Sequence, residues 1–163
     1  MITAARLAGF FAAHAIWSVS DGGSLVPMLA YTGGESDERK MERLVADQDV
    51  VSVELGKQRL TQNLMDAGDA ALLYSARIGL QEGKFEAVIV EMRTYFSPDA
   101  EAVLAIPYTR TDSGEFHVHK PKLLDWENCD DFDIDAAMEQ FFEGVDEHAE
   151  GSKVWSAALD ESV

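Results

Sequence analysis

Phe116-His117-Val118-His119 places two imidazoles at i and i+2, on one face of an extended segment and about 6–7 Å apart at ~3.3 Å rise per residue. Neutral imidazole suits zinc, iron, copper or nickel, but a site needs a third ligand, for which Glu91 and Glu115 are the candidates. The ligand count is not met within the local sequence, so neither a metal nor a cofactor is expected. Arg77 and Arg93 lie in neighbouring segments with the same two-residue period, and a guanidinium there can hold a carboxylate bidentately. With Ser75, Glu91, Tyr95, Thr109, His117 and His119 they make a candidate binding row for a small carboxylate-bearing ligand. The plainer expectation for the same row is a solvated sheet face with cross-strand Arg and Glu pairs.

Other reactive residue types lack the neighbours that chemistry requires. His14 falls on an apolar helical stripe and is expected to be a core histidine satisfied by one hydrogen bond. Ser18 is its one hydroxyl neighbour on that helix, and no G-x-S-x-G elbow accompanies it. Cys129 sits among Glu127, Asp130 and Asp131, whose negative charge disfavours the thiolate. Asp131-Phe-Asp133-Ile-Asp135 imitates the start of a calcium loop, but Ala136 and Phe142 replace the required Gly and Glu. Asp21-Gly-Gly and Thr32-Gly-Gly lack the lysine of a phosphate loop. These patterns leave an enzyme assignment open and favour a non-catalytic binding protein.

The charge distribution points the same way. The chain carries 30 acidic against 13 basic residues, a formal net charge of −17, which argues against binding to nucleic acid or an anionic membrane surface. Residues 125–163 hold 13 acids and one base, Lys153. Such a run fits a solvated helix that favours solubility, a docking face for a basic protein, as in immunity or antitoxin proteins, or adaptation to high salt, which the count of six lysines also suits. The expected interaction surface is Asp130, Asp131, Asp135, Glu139, Glu143 and Glu147. One cysteine cannot form an internal disulfide, so a reducing cytoplasm is the expected compartment. Arg6 and the apolar run to Ala15 imitate a secretory leader, but His14 interrupts the run. The run ends by Ser18-Val-Ser-Asp21, short of the ~20 residues of a membrane span.

The elements that must position these residues follow from period and punctuation. At 163 residues and 47% hydrophobic content the chain fits one globular α+β domain spanning 1–163. A helix is expected from an N-cap at Thr3 to Asp21-Gly-Gly, with Leu7, Phe10, Phe11, His14 and Trp17 on one side and small residues on the other, hence buried on most sides. Ser24 to Thr32 reads as a strand that Pro27 confines to an edge or to a position where no ladder donor is required, ended by Gly33-Gly34. Glu35 to Ala46 reads as a charged helix with Met41, Leu44 and Val45 inward. A second helix runs to about Met65 and stops at Asp66-Ala-Gly68, although Val50 to Leu55 also fits a strand. From Ala70 the period becomes two. Leu72, Tyr74, Ile78 and Leu80, then Val88, Val90, Met92 and Phe96, then Leu104, Ile106 and Tyr108, then Phe116 and Val118 form the inward sets of a four-stranded antiparallel meander. The Pro27 strand extends that meander where it joins. Asp133 caps a helix with Ile134, Met138, Phe141, Phe142 and Val145 inward, and a shorter helix covers Ser152 to Leu159.

Overall fold

The computed structural model describes residues 1–33 and 38–163. The architecture is α+β. The first helix, α1 (Ile2–Val19), runs between the sheet on one side and a pair of C-terminal helices on the other. By length and composition α1 qualifies as a membrane span, yet eleven of its residues are buried inside the protein. The fully buried side is the small one, Ala8, Gly9, Ala12, Ala13, Ala15 and Ile16, whereas Trp17 on the expected apolar stripe is exposed. Small residues win because α1 is covered on two sides and backbones must approach closely. Its N-cap is Met1 rather than Thr3, and no side chain caps it. At the other end the Arg110 guanidinium donates to the carbonyls of Val19 and Ser20, both at 2.8 Å.

Two short strands follow, β1 (Met28–Gly33) and β2 (Arg39–Arg43). They correct one expectation and decide another. The residues read as a charged helix from Glu35 instead supply β2, which pairs antiparallel with β1; Gly34 and Glu35 to Asp37 lie outside the described residues. Val45 consequently points to solvent while Leu44 is buried. Of the two places open to the Pro27 strand it takes the second: β1 is interior, pairing with β2 on one side and with a later strand on the other. Pro27 itself precedes β1, so no ladder donor is required of it, and its carbonyl accepts the Leu44 N–H at 2.8 Å.

Helix α2 (Asp49–Gln62) settles Val50 to Leu55 as helical. Ser52, Gly56 and Leu60, spaced by four, face inward. A Cβ at Gly56 would lie 2.5 Å from Leu72 Cδ1, so the absent side chain lets the helix settle on the sheet. It stops at Asn63, in the left-handed conformation with φ 49°, and not at Asp66-Ala-Gly68, whose last two residues open the next strand.

The meander follows as β3 (Ala67–Leu80), β4 (Gly83–Thr94), β5 (Glu101–Arg110) and β6 (Phe116–Val118). An additional strand, β7 (Lys122–Glu127), pairs with the first half of β5 while β6 pairs with its end. Among the described residues the sheet order is β2-β1-β3-β4-β5-β6, with β7 beside β6 along β5. Val88, Val90, Met92, Leu104, Ile106 and Val118 are buried together against α1, with Phe116 partly buried at their margin. The opposite face is apolar too: α2 covers Leu29, Ala70 and Leu72, and Ala87, Ile89 and Ala105 form a small cluster beside them.

Helix α3 (Ile134–Glu147) starts at Asp133, whose carboxylate accepts the N–H groups of Asp135 and Ala136 at 2.9 and 3.2 Å. Phe141 and Val145 are buried and Ile134 and Met138 partly so, while Phe142 is 39% exposed. Helix α4 (Ala149–Ala158) follows after one residue, His148. His148 Nδ1 accepts the Gly151 N–H at 2.8 Å, so its proton sits on Nε2 and points to His14 Nδ1, 3.2 Å away. Phe10 and Trp17 flank the pair at 5.0 and 5.8 Å from the His148 ring. His14 thus makes the one hydrogen bond expected of it.

Burial first, then the neighbouring His148 and Arg43, hold the His14 pKa below its ordinary value. The unfolded chain therefore binds more protons between the two pKa values, and the His14 contribution is complete above about pH 6.5 and lost as pH falls through the lower folded value. The thermal midpoint is expected to fall between about pH 7 and 5.5, and to fall less in His14→Gln. An unchanged slope in that variant assigns the acid sensitivity to other groups.

Candidate interaction surface

The polar row divides between the two faces of the sheet. Ser75 lies opposite Val88 and Arg77 opposite Glu86, so both sit on the α1 side, while Leu72 and Tyr74 face away with Glu91 and Ile89. The reason is the two-residue turn at Gln81-Glu82: it pairs Leu80 with Gly83, so residues of unlike parity share a face across this hairpin. The β4–β5 and β5–β6 registers keep like parity, and the inward sets of those strands stand as expected except for Phe96, which lies past the end of β4 and is exposed.

Each candidate residue already has a partner. Arg77 donates to Glu86 Oε1 at 2.8 Å. Glu91 accepts from the Tyr74 hydroxyl at 2.6 Å and lies 3.8 Å from Lys57 Nζ. Arg93 is 2.5 Å from Glu101 Oε1. The Tyr95 hydroxyl donates to the Leu60 carbonyl at 2.5 Å, tying β4 to α2, and burial pushes its pKa up to about 12. His117 Nε2 is 3.7 Å from Glu115 Oε2. His119 is buried, with Nδ1 donating to the Asp160 carbonyl and Nε2 beside the Thr109 hydroxyl, both at 3.0 Å. With both His119 nitrogens engaged, the two histidines do not present a joint pair of ligands. A different set, Glu101, Asp125 and Glu127, brings three carboxylate oxygens within 4.8 Å of one another, with the Arg93 guanidinium already on Glu101.

Arg77 instead joins Lys84, Phe85, Glu86, Tyr108 and Arg110 around an open cavity of about 510 Å³. Two of its three cations are occupied, Arg77 by Glu86 and Arg110 by the end of α1. Cys129 is buried and its thiol donates to the Glu127 carbonyl at 3.1 Å. Burial pushes its pKa up, with Asp125 and Asp130 adding to the effect, so it is a poor nucleophile.

The acidic quarter is more open, and it also divides. Glu147 is bound by Arg6 at 2.5 Å and by Arg39 at 2.8 Å, and Glu143 lies 3.6 Å from Arg6. These two are neutralised from α1 and β2. Asp130, Asp131, Asp135 and Glu139 are exposed and, among the described residues, make no ion pair. Helical spacing of four, three and four aligns Asp135, Glu139, Phe142 and Asp146 in one outward row. Asp146, outside the expected set, is exposed and equally unpaired among the described residues. Beside this row an apolar groove of about 500 Å³ opens between α3 and α4, lined by Pro121, Met138, Phe142, Val145, Trp155 and Leu159 and rimmed by Asp146 and the Lys120–Glu161 pair. The groove was not legible in the sequence because it is made by three distant segments. Of the row, Asp135 and Glu139 follow from the 3.6-residue period, whereas Phe142, expected inward, stands partly in solvent and Asp146 was not in the expected set.

No family model, no curated protein and no solved structure matches this chain.

Proposed function

We propose that this protein is a non-catalytic cytoplasmic interaction protein that docks a basic protein on the outer face of α3 and in the adjoining groove. One observation carries the reading. Phe142, 39% exposed, stands in a row with three carboxylates that have no ion-pair partner among the described residues, at the lip of an apolar groove. A partly exposed aromatic gives a partner side chain something to bury against, and the surrounding carboxylates steer cations towards it. Asp130 and Asp131 extend the negative field at the start of α3.

The test is affinity capture at low ionic strength, followed by binding measurements with the purified captured protein. A basic partner is expected, with affinity that falls as salt rises and drops at least about tenfold in the combined Asp135→Asn, Glu139→Gln, Asp146→Asn variant. Retention of no protein, or a partner bound equally by that variant, overturns the reading.

A further inference from the structure

We infer that the cleft between the start of α1 and the β1–β2 pair binds a small zwitterion carrying a primary ammonium and a carboxylate, of the amino-acid class. The argument starts from Asp69 in β3, which is 6% exposed and lines this cleft. Its backbone N–H is satisfied by the Thr32 hydroxyl at 3.3 Å. Its carboxylate accepts no hydrogen bond among the described residues, and Oδ1 is closed off from solvent. The Met1 α-ammonium attracts this carboxylate but makes no ion pair with it, and since leaving a buried carboxylate without a donor is costly, a hydrogen-bonding cation in the cleft has a place to fill.

The rest of the cleft supplies the opposite pole. Its volume is about 350 Å³, and Thr3, Arg6, Leu7, Thr32, Arg39 and Glu147 complete the lining. Glu147 takes Nε of Arg6 and one terminal nitrogen of Arg39, and each guanidinium has five N–H donors, so donors remain on both. The Arg39 guanidinium is held over the Phe10 ring, 4.8 Å from its centroid. Two acids and two bases line the cleft, so their formal charges cancel while the poles stay apart. A simple cation is repelled by the guanidiniums, and a simple anion by Asp69. A neutral molecule with separated charges matches both, its ammonium donating to Asp69 and its carboxylate accepting from Arg6 and Arg39, with the hydroxyls of Thr3 and Thr32 as further partners. This cleft is separate from the groove proposed for a protein partner.

Titration calorimetry at low ionic strength with glycine, L-alanine and L-serine, beside ethylamine and acetate, tests the assignment. At least one amino acid is expected to bind at one site per chain, about tenfold or more tighter than ethylamine or acetate. Asp69→Asn is expected to weaken that amino acid at least about tenfold, and Glu147→Gln, which frees guanidinium donors, to tighten it. Arg39→Gln serves as a second variant should Asp69→Asn fold poorly, and is expected to weaken the amino acid while leaving ethylamine unchanged. Failure of all three amino acids to bind, affinity equal to that of ethylamine and acetate, or indifference to Asp69→Asn or Arg39→Gln overturns the proposal.

Discussion

Alanine at Gly9 is expected to destabilise the protein by about 3 kcal/mol or more, although the same exchange on an exposed helix surface stabilises by roughly 0.5–1 kcal/mol. The difference in sign comes from the crossing of α1 and α3. A Cβ at Gly9 would stand 1.8 Å from the Phe141 carbonyl oxygen, and one at Gly144 would stand 2.0 Å from that of Arg6. Both obstacles are backbone, which cannot rotate out of the way, so the helices must separate. Gly151 makes the equivalent approach of α4 to Ala13, at 2.4 Å from its carbonyl oxygen. Against the roughly 5–15 kcal/mol stability of a typical domain, the Gly9→Ala loss is large enough to read directly in a denaturant titration. An unfolding midpoint equal to or above that of the parent would show that the helices do not meet so closely.

Phe141→Ala is expected to cost about 3–5 kcal/mol, the range for emptying an aromatic site in a core that cannot collapse around the gap. Phe141 has no exposed surface and packs its ring against Phe142 and Trp155, with centroids 5.4 and 6.3 Å away. The neighbouring Phe142→Ala removes a ring that is 39% exposed, so it is expected to cost well under half as much in the same titration. The contrast matters for function. Under the docking reading, Phe142→Ala leaves a folded protein that has lost its contact with the partner, whereas Phe141→Ala loses both. Equal destabilisation by the two substitutions would place Phe142 in the core and remove it from any docking surface.

The parts legible in the sequence are those whose pattern is set within the element. Asp133 and the stripe after it define α3, and strict alternation with short turns defines β3 to β6, because each strand meets the next through a local hairpin. Elements whose state is set from outside their own residues were not legible. Arg-Lys-Met-Glu-Arg in β2 has no strand pattern of its own, and its conformation comes from the ladder offered by β1. Lys-Leu-Leu-Asp-Trp-Glu in β7 has its alternation broken by a register shift between Val103 and Leu104 of β5. The candidate sites divide in the same way. Acid spacing along α3 needs one helix to be seen. The link from Glu147 to Arg6 spans 141 residues, and Asp69 becomes notable only when the cleft around it exists.

The order of the strands also bears on how copies of this chain behave when crowded. The long strands β3, β4 and β5, the ones able to template a neighbour's backbone, all lie inside the sheet. One margin is β2, five residues of which four are charged; the other is divided between three-residue β6 and six-residue β7 laid end to end along β5. Short, charged and interrupted margins give an incoming strand little continuous ladder to extend, so growth of the sheet from one molecule into the next is blocked at both ends. Resistance to fibril formation in concentrated solution is thus built into the sheet's outline, apart from any help from the net negative charge.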